Sequence, residues 1–342
     1  MFKLRSQLDA IVGESLLSHI MRTAKENYLK PDHMAQLAGA RIGGIVPFLF
    51  DRNMAQALPD LLGVSLDEIE RKMYLPVYEA RRPAAAAKIP SAPFPFGTGE
   101  LKLQAEKEVN NFYGTEINRD HLHLARRRFA PDALSIGGYH RPEWDVGFIF
   151  SNHETGELLH SKCRFCEKKF GWRTRGLTEC FCKYDLRDHK AKPIPSELLE
   201  LSAFLHDLIN PCPLRQEQAR SRLPSSLQAV GVSTLVDLMI TVGRLAVGYY
   251  PGANDICRGL PVDREIKLMF LGFTYLPEWP ASVVPAVESA LWNSLNGRME
   301  EHVSFSRIFS VVDRASLPET RGILTQVALS VWSDKGLSRV PS

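Results

Sequence analysis

The sequence lacks several features that would narrow its function at once. No apolar run approaches the roughly 18 residues that a membrane-spanning helix requires, and no apolar run with a small-residue cleavage site opens the chain. The phosphate loops GxxxxGKS/T and GxGxxG are absent, as are the catalytic patterns HExxH and GxSxG. We therefore expect a protein with no membrane segment, no secretory signal and no enzymatic activity.

Cysteine is scarce, with six residues in 342, yet four of them fall within twenty residues. Cys163 and Cys166 form a C-x2-C pair, and Cys180 and Cys182 form a C-x-C pair after thirteen intervening residues. Two such pairs joined by a hairpin match tetrahedral coordination of Zn²⁺ by four thiolates, with ordinary core or redox cysteines as the alternative. Because four thiolates leave no position for a catalytic water, the predicted zinc is structural. A thiolate site without a secretory signal indicates a reducing cytoplasm.

Positive charge is modest over the whole chain, at +3, but it is concentrated around the cysteines. From 161 to 192 there are ten lysines and arginines against four acidic residues, which leaves about +4 with a zinc tetrathiolate. Such a module can bind a phosphate backbone. The alternatives are that its basic side chains face an acidic protein surface or only solvent. The predicted contacts to nucleic acid or a partner are Lys162, Arg164, Lys168, Lys169, Arg173 and Arg175, with the run Arg126, Arg127 and Arg128.

Helical periodicity dominates the rest of the chain. Apolar residues recur every three and four positions after Ser15, which is placed to cap the helix, and a capping box begins at Ser65. A short helix, Gly63 and the helix after Ser65 have the outline of a helix-turn-helix. A second such unit is predicted where Gly231 precedes Ser233 as a cap. The predicted fold class is mainly α with a small β zinc ribbon, with helix-turn-helix units flanking the four-cysteine module.

Composition divides the chain into four predicted regions. Residues 1–80 form an N-terminal helical domain with the first helix-turn-helix-like unit. An arm rich in proline and alanine and a helix predicted from Glu100 to Asn110 lie in the region 81–120, and the zinc-ribbon region occupies 121–192. Residues 193–342 form a C-terminal helical domain with the second helix-turn-helix-like unit.

Four segments between about residues 13 and 291 carry recognisable motifs. The first has Glu14, Ser15 and Leu16 at the head of a helix with Arg22 further along it, and the second, Leu61 to Met73, has a Leu-x-Gly-x-Ser before an acidic helix. The third is the ribbon with Trp172 and the following Asp185 and Leu186, and the fourth, Gly272 to Leu291, has a Gly-Phe…Leu-x-x-Trp-Pro pattern. In their motifs and in their order, these segments resemble the TniQ family of transposition targeting proteins.

The chain departs from the family at one point. Family members commonly carry an earlier zinc site, whose cysteines are missing here, and Ser151 stands where a ligand would be. We therefore expect a single zinc ion, with the first site degenerate and held by aromatic packing around Trp144.

The resemblance implies a non-catalytic adaptor that selects the target of transposition. Such a protein recognises an insertion site, by binding target DNA directly or by docking on a guide-RNA CRISPR complex. It then recruits an AAA+ transposition ATPase, which engages the transposase, and the N-terminal helices and the proline-rich arm would be docking surfaces for that ATPase. A homodimer is compatible with the helical faces. The alternative is a transcription regulator with a zinc ribbon and helix-turn-helix units that binds DNA on its own.

Overall fold

The computed structural model describes residues 4–39, 44–77, 109–247, 262–287 and 318–334. Helices predominate in these ranges, with two antiparallel two-stranded sheets, as predicted for a mainly α chain with a little β structure. The chain divides into two compact units, Met1–Pro76 with Val109–Ala219, and Val77–Glu108 with Arg220–Ser342. Of the arm and helix predicted for 81–120, residues up to 108 lie outside the described ranges.

Short and medium-length helices make up most of the described chain. In chain order, the α-helices are α1 Leu16–Glu26, α2 Pro31–Leu37, α3 Arg52–Ala55, α4 Leu58–Leu62, α5 Leu66–Arg71, α6 Pro131–Gly137, α7 Leu199–Leu208, α8 Pro213–Ser221, α9 Ser225–Gln228, α10 Val232–Ala246, α11 Val262–Tyr275 and α12 Pro318–Asp334. The 3-10 helices are Val46–Leu49, Arg119–His121, Pro142–Asp145, Leu186–Asp188, Ser196–Leu198 and Leu276–Glu278. The strands are β1 Val109–Phe112, β2 Thr115–Asn118, β3 Ser151–Asn152 and β4 Glu157–Leu158. None of the described helices is both long enough and apolar enough to cross a membrane.

Helix α1 begins where the sequence predicts. The backbone of Ser15 is extended, and its Oγ accepts a hydrogen bond from the Ser18 N–H at 3.2 Å, so the predicted cap is confirmed. The apolar face of the helix, including Leu17, Ile20 and Met21, is fully buried in the first unit. Burial of this face, rather than intrinsic helix propensity, stabilises a helix of eleven residues.

Helices α4 and α5 form a short helical hairpin. Gly63 ends α4 with φ 73°, a left-handed conformation that favours glycine, and a Cβ there would lie 2.8 Å from Gln7 Oε1. Ser65 then caps α5, its Oγ accepting from the Glu68 N–H at 3.2 Å. The capping box predicted from sequence is therefore confirmed on its serine side.

The first sheet is a tight hairpin of β1 and β2. Tyr113 and Gly114 connect the strands, and both have positive φ, 49° and 90°, as a two-residue turn that matches the strand twist requires. The Gly114 N–H donates to Asn111 Oδ1 at 2.8 Å, which fixes the turn. The helix that the sequence predicts before this hairpin would extend to residue 110, whereas strand β1 occupies 109–110 instead.

In the second unit, α10 and α11 pack with their backbones in contact. A Cβ on Gly243 would lie 2.0 Å from the Leu268 carbonyl oxygen, and one on Gly272 would lie 1.8 Å from that of Met239. Helix α10 is preceded by Gly231 in extended conformation, and Ser233 is buried in its first turn. The prediction that Ser233 caps this helix is therefore wrong, because the helix begins at Val232 and Gly231 occupies the cap position.

Candidate metal centre and the surface around it

The first cysteine pair lies on a tight turn, the first knuckle, formed by residues 163–168. The Cys163 N–H donates to the Lys168 carbonyl oxygen at 3.0 Å, and the Glu167 N–H donates to the Cys163 carbonyl at 2.8 Å. Glu167 adopts φ 57°, which reverses the chain directly after Cys166. This turn directs the two sulfur atoms of the pair towards the same side.

The second pair lies on a similar turn, the second knuckle, formed by residues 180–184. The Cys180 N–H donates to the Tyr184 carbonyl at 3.0 Å, and the Lys183 N–H donates to the Cys180 carbonyl at 2.9 Å. Lys183 has φ 68° and occupies the position after Cys182 that Glu167 occupies in the first knuckle. In both knuckles a residue with positive φ directly after the second cysteine reverses the chain. The cysteines are separated by two residues in the first knuckle and by one in the second.

The four sulfur atoms come together as one cluster. All lie within 4.8 Å of one another, with Cys163 Sγ 3.7 Å from Cys182 Sγ and Cys166 Sγ 3.6 Å from Cys180 Sγ. Ligands about 2.3 Å from a tetrahedral ion are separated by about 3.8 Å, so the cluster fits a thiolate-bound metal. Within the described ranges, these cysteines are the one group of three or more His, Cys, Asp or Glu residues that could hold a metal ion.

The protonation of these thiols depends on their neighbours. The backbone N–H of Lys168 lowers the pKa of Cys166 to about 7, whereas burial raises the pKa of Cys180 to about 12. Four thiolates this close repel each other, and a divalent cation between them offsets that repulsion. Metal binding would accordingly release protons from the cluster.

The cluster is anchored in an apolar core. Cys163 and Cys180 are buried with Phe129, Phe170 and Leu186. Two of the four cysteines are therefore part of the hydrophobic core of the first unit.

Two further contacts hold the hairpin between the knuckles and the first knuckle itself. Trp172, which the resemblance places in this hairpin, is buried and donates from Nε1 to the Leu124 carbonyl at 2.9 Å. At the first knuckle, the Arg164 N–H donates to His189 Nε2 at 3.1 Å.

The six basic residues predicted for the ribbon are all exposed: Lys162, Arg164, Lys168, Lys169, Arg173 and Arg175. Arg173 lies 3.8 Å from Asp32 of α2, and it is the one member of the six with an ion pair in the described part of the chain. Arg126 is exposed as well. These residues remain candidates for binding an anionic partner.

Arg127 and Arg128 are buried, at 1% and 7% exposure, so the prediction that they contact a partner is wrong. Arg128 donates from Nε to the Trp144 carbonyl at 2.8 Å and from Nη1 to the Ile149 carbonyl at 2.5 Å, and Nη2 bonds the Val146 carbonyl. Hydropathy gives no signal of this burial, because the carbonyls that solvate the guanidinium are assembled only by the fold.

Arg127 lies close to the cysteine cluster. Its Nη1 donates to the Gly176 carbonyl at 3.3 Å, and its guanidinium lies 5.9 Å from the ring centroids of Phe170 and Trp172. Burial lowers the pKa of Arg127 to about 10, and the nearby Cys180 acts in the opposite direction. It thus remains positively charged at neutral pH beside a cluster that gains negative charge with a metal.

The region in which the resemblance implies a degenerate earlier zinc site contains hydrogen bonds and aromatic packing. Ser151 Oγ lies 2.5 Å from Ser202 Oγ, and His206 Nε2 donates to the Ser151 carbonyl at 3.0 Å. The buried Trp144 ring packs edge-on against His140, with centroids 5.2 Å apart.

Sequence reasoning missed the aromatic residues of the knuckles. Phe165 and Phe181 are 75% and 56% exposed, and the Phe165 ring is stacked on Tyr184. A signal was available for Phe181, because it lies directly between two cysteines whose side chains both turn towards the cluster.

No protein-family model matches the chain, and a search of curated proteins finds no match to it.

Proposed function

We propose that this chain is a non-catalytic target-selection adaptor of transposition. It recognises an insertion site and recruits an AAA+ ATPase, which in turn engages the transposase. The observation that carries the proposal is the cysteine cluster on a ribbon with six exposed basic side chains. The resemblance of four ordered segments to TniQ proteins supplies the biological setting.

Zinc is the ion that we assign to the cluster. Four cysteine sulfurs at tetrahedral spacing suit Zn²⁺, which would hold the two knuckles together without an open coordination position. Such an ion supplies rigidity rather than a reactive water, which supports a role in binding and not in catalysis.

The Glu-Ser-Leu segment contributes to the same body as the ribbon. The Ser15 N–H donates to the His140 carbonyl at 2.9 Å, and Ser15 Oγ lies 3.1 Å from His140 Nδ1. The His140 ring in turn packs against Trp172, with centroids 4.9 Å apart. Two segments that carry the resemblance therefore support each other through one histidine.

The α4–α5 hairpin suits a protein partner better than DNA. The α5 helix carries Asp67, Glu68 and Glu70 within six residues, and an acidic helix is repelled by phosphates. If this hairpin is a helix-turn-helix, its role in the proposal is to dock the ATPase. The basic ribbon is then the part that contacts nucleic acid.

The test is capture of the tagged chain from its native cells, with mass spectrometry and sequencing of bound RNA. Recovery of an AAA+ ATPase with CRISPR subunits and guide RNA supports RNA-directed targeting, and the ATPase without RNA supports direct recognition of DNA. Recovery of neither would replace the proposal with a transcription regulator that binds DNA alone.

Two double variants that each remove two positive charges test whether the ribbon binds nucleic acid. Lys168→Ala with Lys169→Ala should weaken nucleic-acid binding and reduce the slope of log K against log salt by about 2. Lys30→Ala with Arg71→Ala removes the same charge from exposed positions outside the ribbon and should change neither. Equal binding by both double variants would contradict the role of the ribbon.

A further inference from the structure

Two large aromatic side chains are exposed at the metal-binding end of the ribbon. Phe165 lies between the cysteines of the first knuckle and Phe181 between those of the second, and they are 75% and 56% exposed. Most phenylalanine side chains of this size are buried, and exposed apolar groups that gather in one place mark binding surfaces. Because the four sulfurs lie within 4.8 Å of one another, the two backbone turns that carry these rings meet at the same centre.

The aromatic surface continues across the knuckles. The Tyr184 ring of the second knuckle is parallel to the Phe165 ring of the first, with an interplanar angle of 4° and centroids 6.2 Å apart. Tyr184 is held in place by its hydroxyl, which donates to the Asp188 carbonyl at 2.8 Å. Tyr184 thus places a second aromatic ring, fixed by its hydroxyl, parallel to the exposed Phe165 ring.

The charge around these rings is mainly positive. Arg164 precedes Phe165 directly, Lys168 ends the first knuckle, and Lys183 precedes Tyr184; all three are exposed. Glu167 is the acidic residue within the knuckles, and it is exposed beside Lys168. Flat aromatic faces flanked by cations complement a ligand that offers planar rings and phosphates.

We propose that this knuckle surface, made by Phe165, Phe181, Tyr184, Arg164, Lys168 and Lys183, binds single-stranded nucleic acid. Unpaired bases stack on the aromatic rings, and the basic side chains neutralise the phosphates between them. The inference rests on the proposed nucleic-acid recognition and specifies its form. A duplex fits less well, because its base faces are already stacked on each other. A second copy of the chain fits less well too, because like charges would meet.

The experiment measures fluorescence anisotropy of labelled 20-nucleotide oligo(U), 20-nucleotide oligo(dT) and a 20-base-pair duplex with the metal-loaded full chain. Phe165→Leu with Phe181→Leu keeps apolar side chains but removes the stacking faces, and should weaken single-strand binding about tenfold per ring. Duplex binding and metal content should stay as in the wild type. Phe165→Tyr should restore most of the loss at that position, and the oligonucleotide more affected identifies RNA or DNA as the ligand.

Tyr28→Leu is the matched control, since Tyr28 is an aromatic residue of the same unit that is 92% exposed and lies outside the ribbon. It should leave all three affinities unchanged. The proposal is overturned if the double leucine variant binds single strands as tightly as the wild type, or loses single-strand and duplex binding equally. A dimer that the leucine substitutions dissociate, seen by light scattering, would also overturn it and give the surface to self-association.

Capture of the ATPase separates this inference from the proposed function. A wild type that captures the ATPase but binds no single strand refutes the knuckle surface and leaves the adaptor proposal standing. A wild type that binds single strands through Phe165 and Phe181 but captures no ATPase supports the surface and refutes the adaptor.

Discussion

Arg22 binds Glu14 through both arms of its guanidinium, with Nε 2.6 Å from Oε1 and Nη2 2.8 Å from Oε2. The glutamate side chain is completely buried, whereas that of the arginine is 20% exposed. The carboxylate also accepts from the Ser18 hydroxyl at 2.7 Å and from the Ile11 N–H at 3.2 Å. This ion pair therefore joins the segment before α1 to the helix itself, and its role is structural.

Because Glu14 is more deeply buried than Arg22, loss of the arginine should destabilise the fold more than loss of the glutamate charge. Arg22→Met leaves a buried carboxylate without its cation, and should lower the free energy of unfolding by about 3 kcal/mol. Glu14→Gln leaves an arginine that can turn towards water, and should cost about 1 to 2 kcal/mol. Chemical denaturation of both variants checks the order. A larger loss of unfolding free energy for Glu14→Gln would show that the ion pair with Arg22 is not the dominant interaction of Glu14.

The three consecutive arginines give a second contrast. Arg128→Met should lower the melting temperature by about 6 to 12 °C, because the carbonyls of Trp144, Val146 and Ile149 lose their donor in the interior. Arg126→Met should leave it nearly unchanged, since Arg126 is exposed. Thermal denaturation of the two variants under one condition makes the comparison. Equal melting temperatures would contradict the buried position of Arg128.

The sequence predicted the parts of this molecule that depend on local geometry. The cysteine spacing was sufficient to predict that the four sulfurs come together, because each pair occupies one knuckle and the hairpin is short. The cap at Ser15 followed from the helical periodicity that begins directly after it, and the cap at Ser65 from the glutamate three residues later. The burial of Arg127 and Arg128 could not be predicted, because the carbonyls and rings around them come from distant parts of the first unit.

His206 gives a prediction about pH. Its ring is buried against His153, with centroids 4.4 Å apart, and Nε2 donates to the Ser151 carbonyl. Burial, with a smaller contribution from His153, lowers the pKa of His206 to about 3 from its ordinary value of 6.5. The folded chain thus keeps this ring neutral where the unfolded chain would protonate it. The stabilisation is present above pH 6.5 and is lost as the pH falls from 6.5 towards 3.

His206→Gln should remove this dependence while keeping a donor for Ser151. Between pH 7.5 and 5.5 the wild type should lose about 1.4 kcal/mol more unfolding free energy than the variant. Asp145, whose pKa burial raises to about 7, acts in the opposite sense but is common to both chains. Urea denaturation at the two pH values provides the measurement, and parallel pH dependence would contradict a buried neutral His206.

Metal removal tests whether the four-cysteine cluster holds an ion. The purified chain should carry about one metal ion, and a strong chelator should release it and lower the melting temperature of the first unit. Cys180→Ser should abolish the bound metal and unfold the ribbon, because Cys180 is both a ligand and a buried member of the core. Elemental analysis and circular dichroism report the two effects.

Cys212→Ser is the control for that experiment. Cys212 is an exposed free thiol outside the cluster, so its loss should change neither the metal content nor the melting temperature. Thiol titration adds a second criterion, since the four cluster thiols should react only after the chelator has removed the ion. If all thiols react at once while the chain stays folded, the four sulfurs hold no metal. The knuckles would then owe their shape to backbone hydrogen bonds and to the core beneath Cys163 and Cys180.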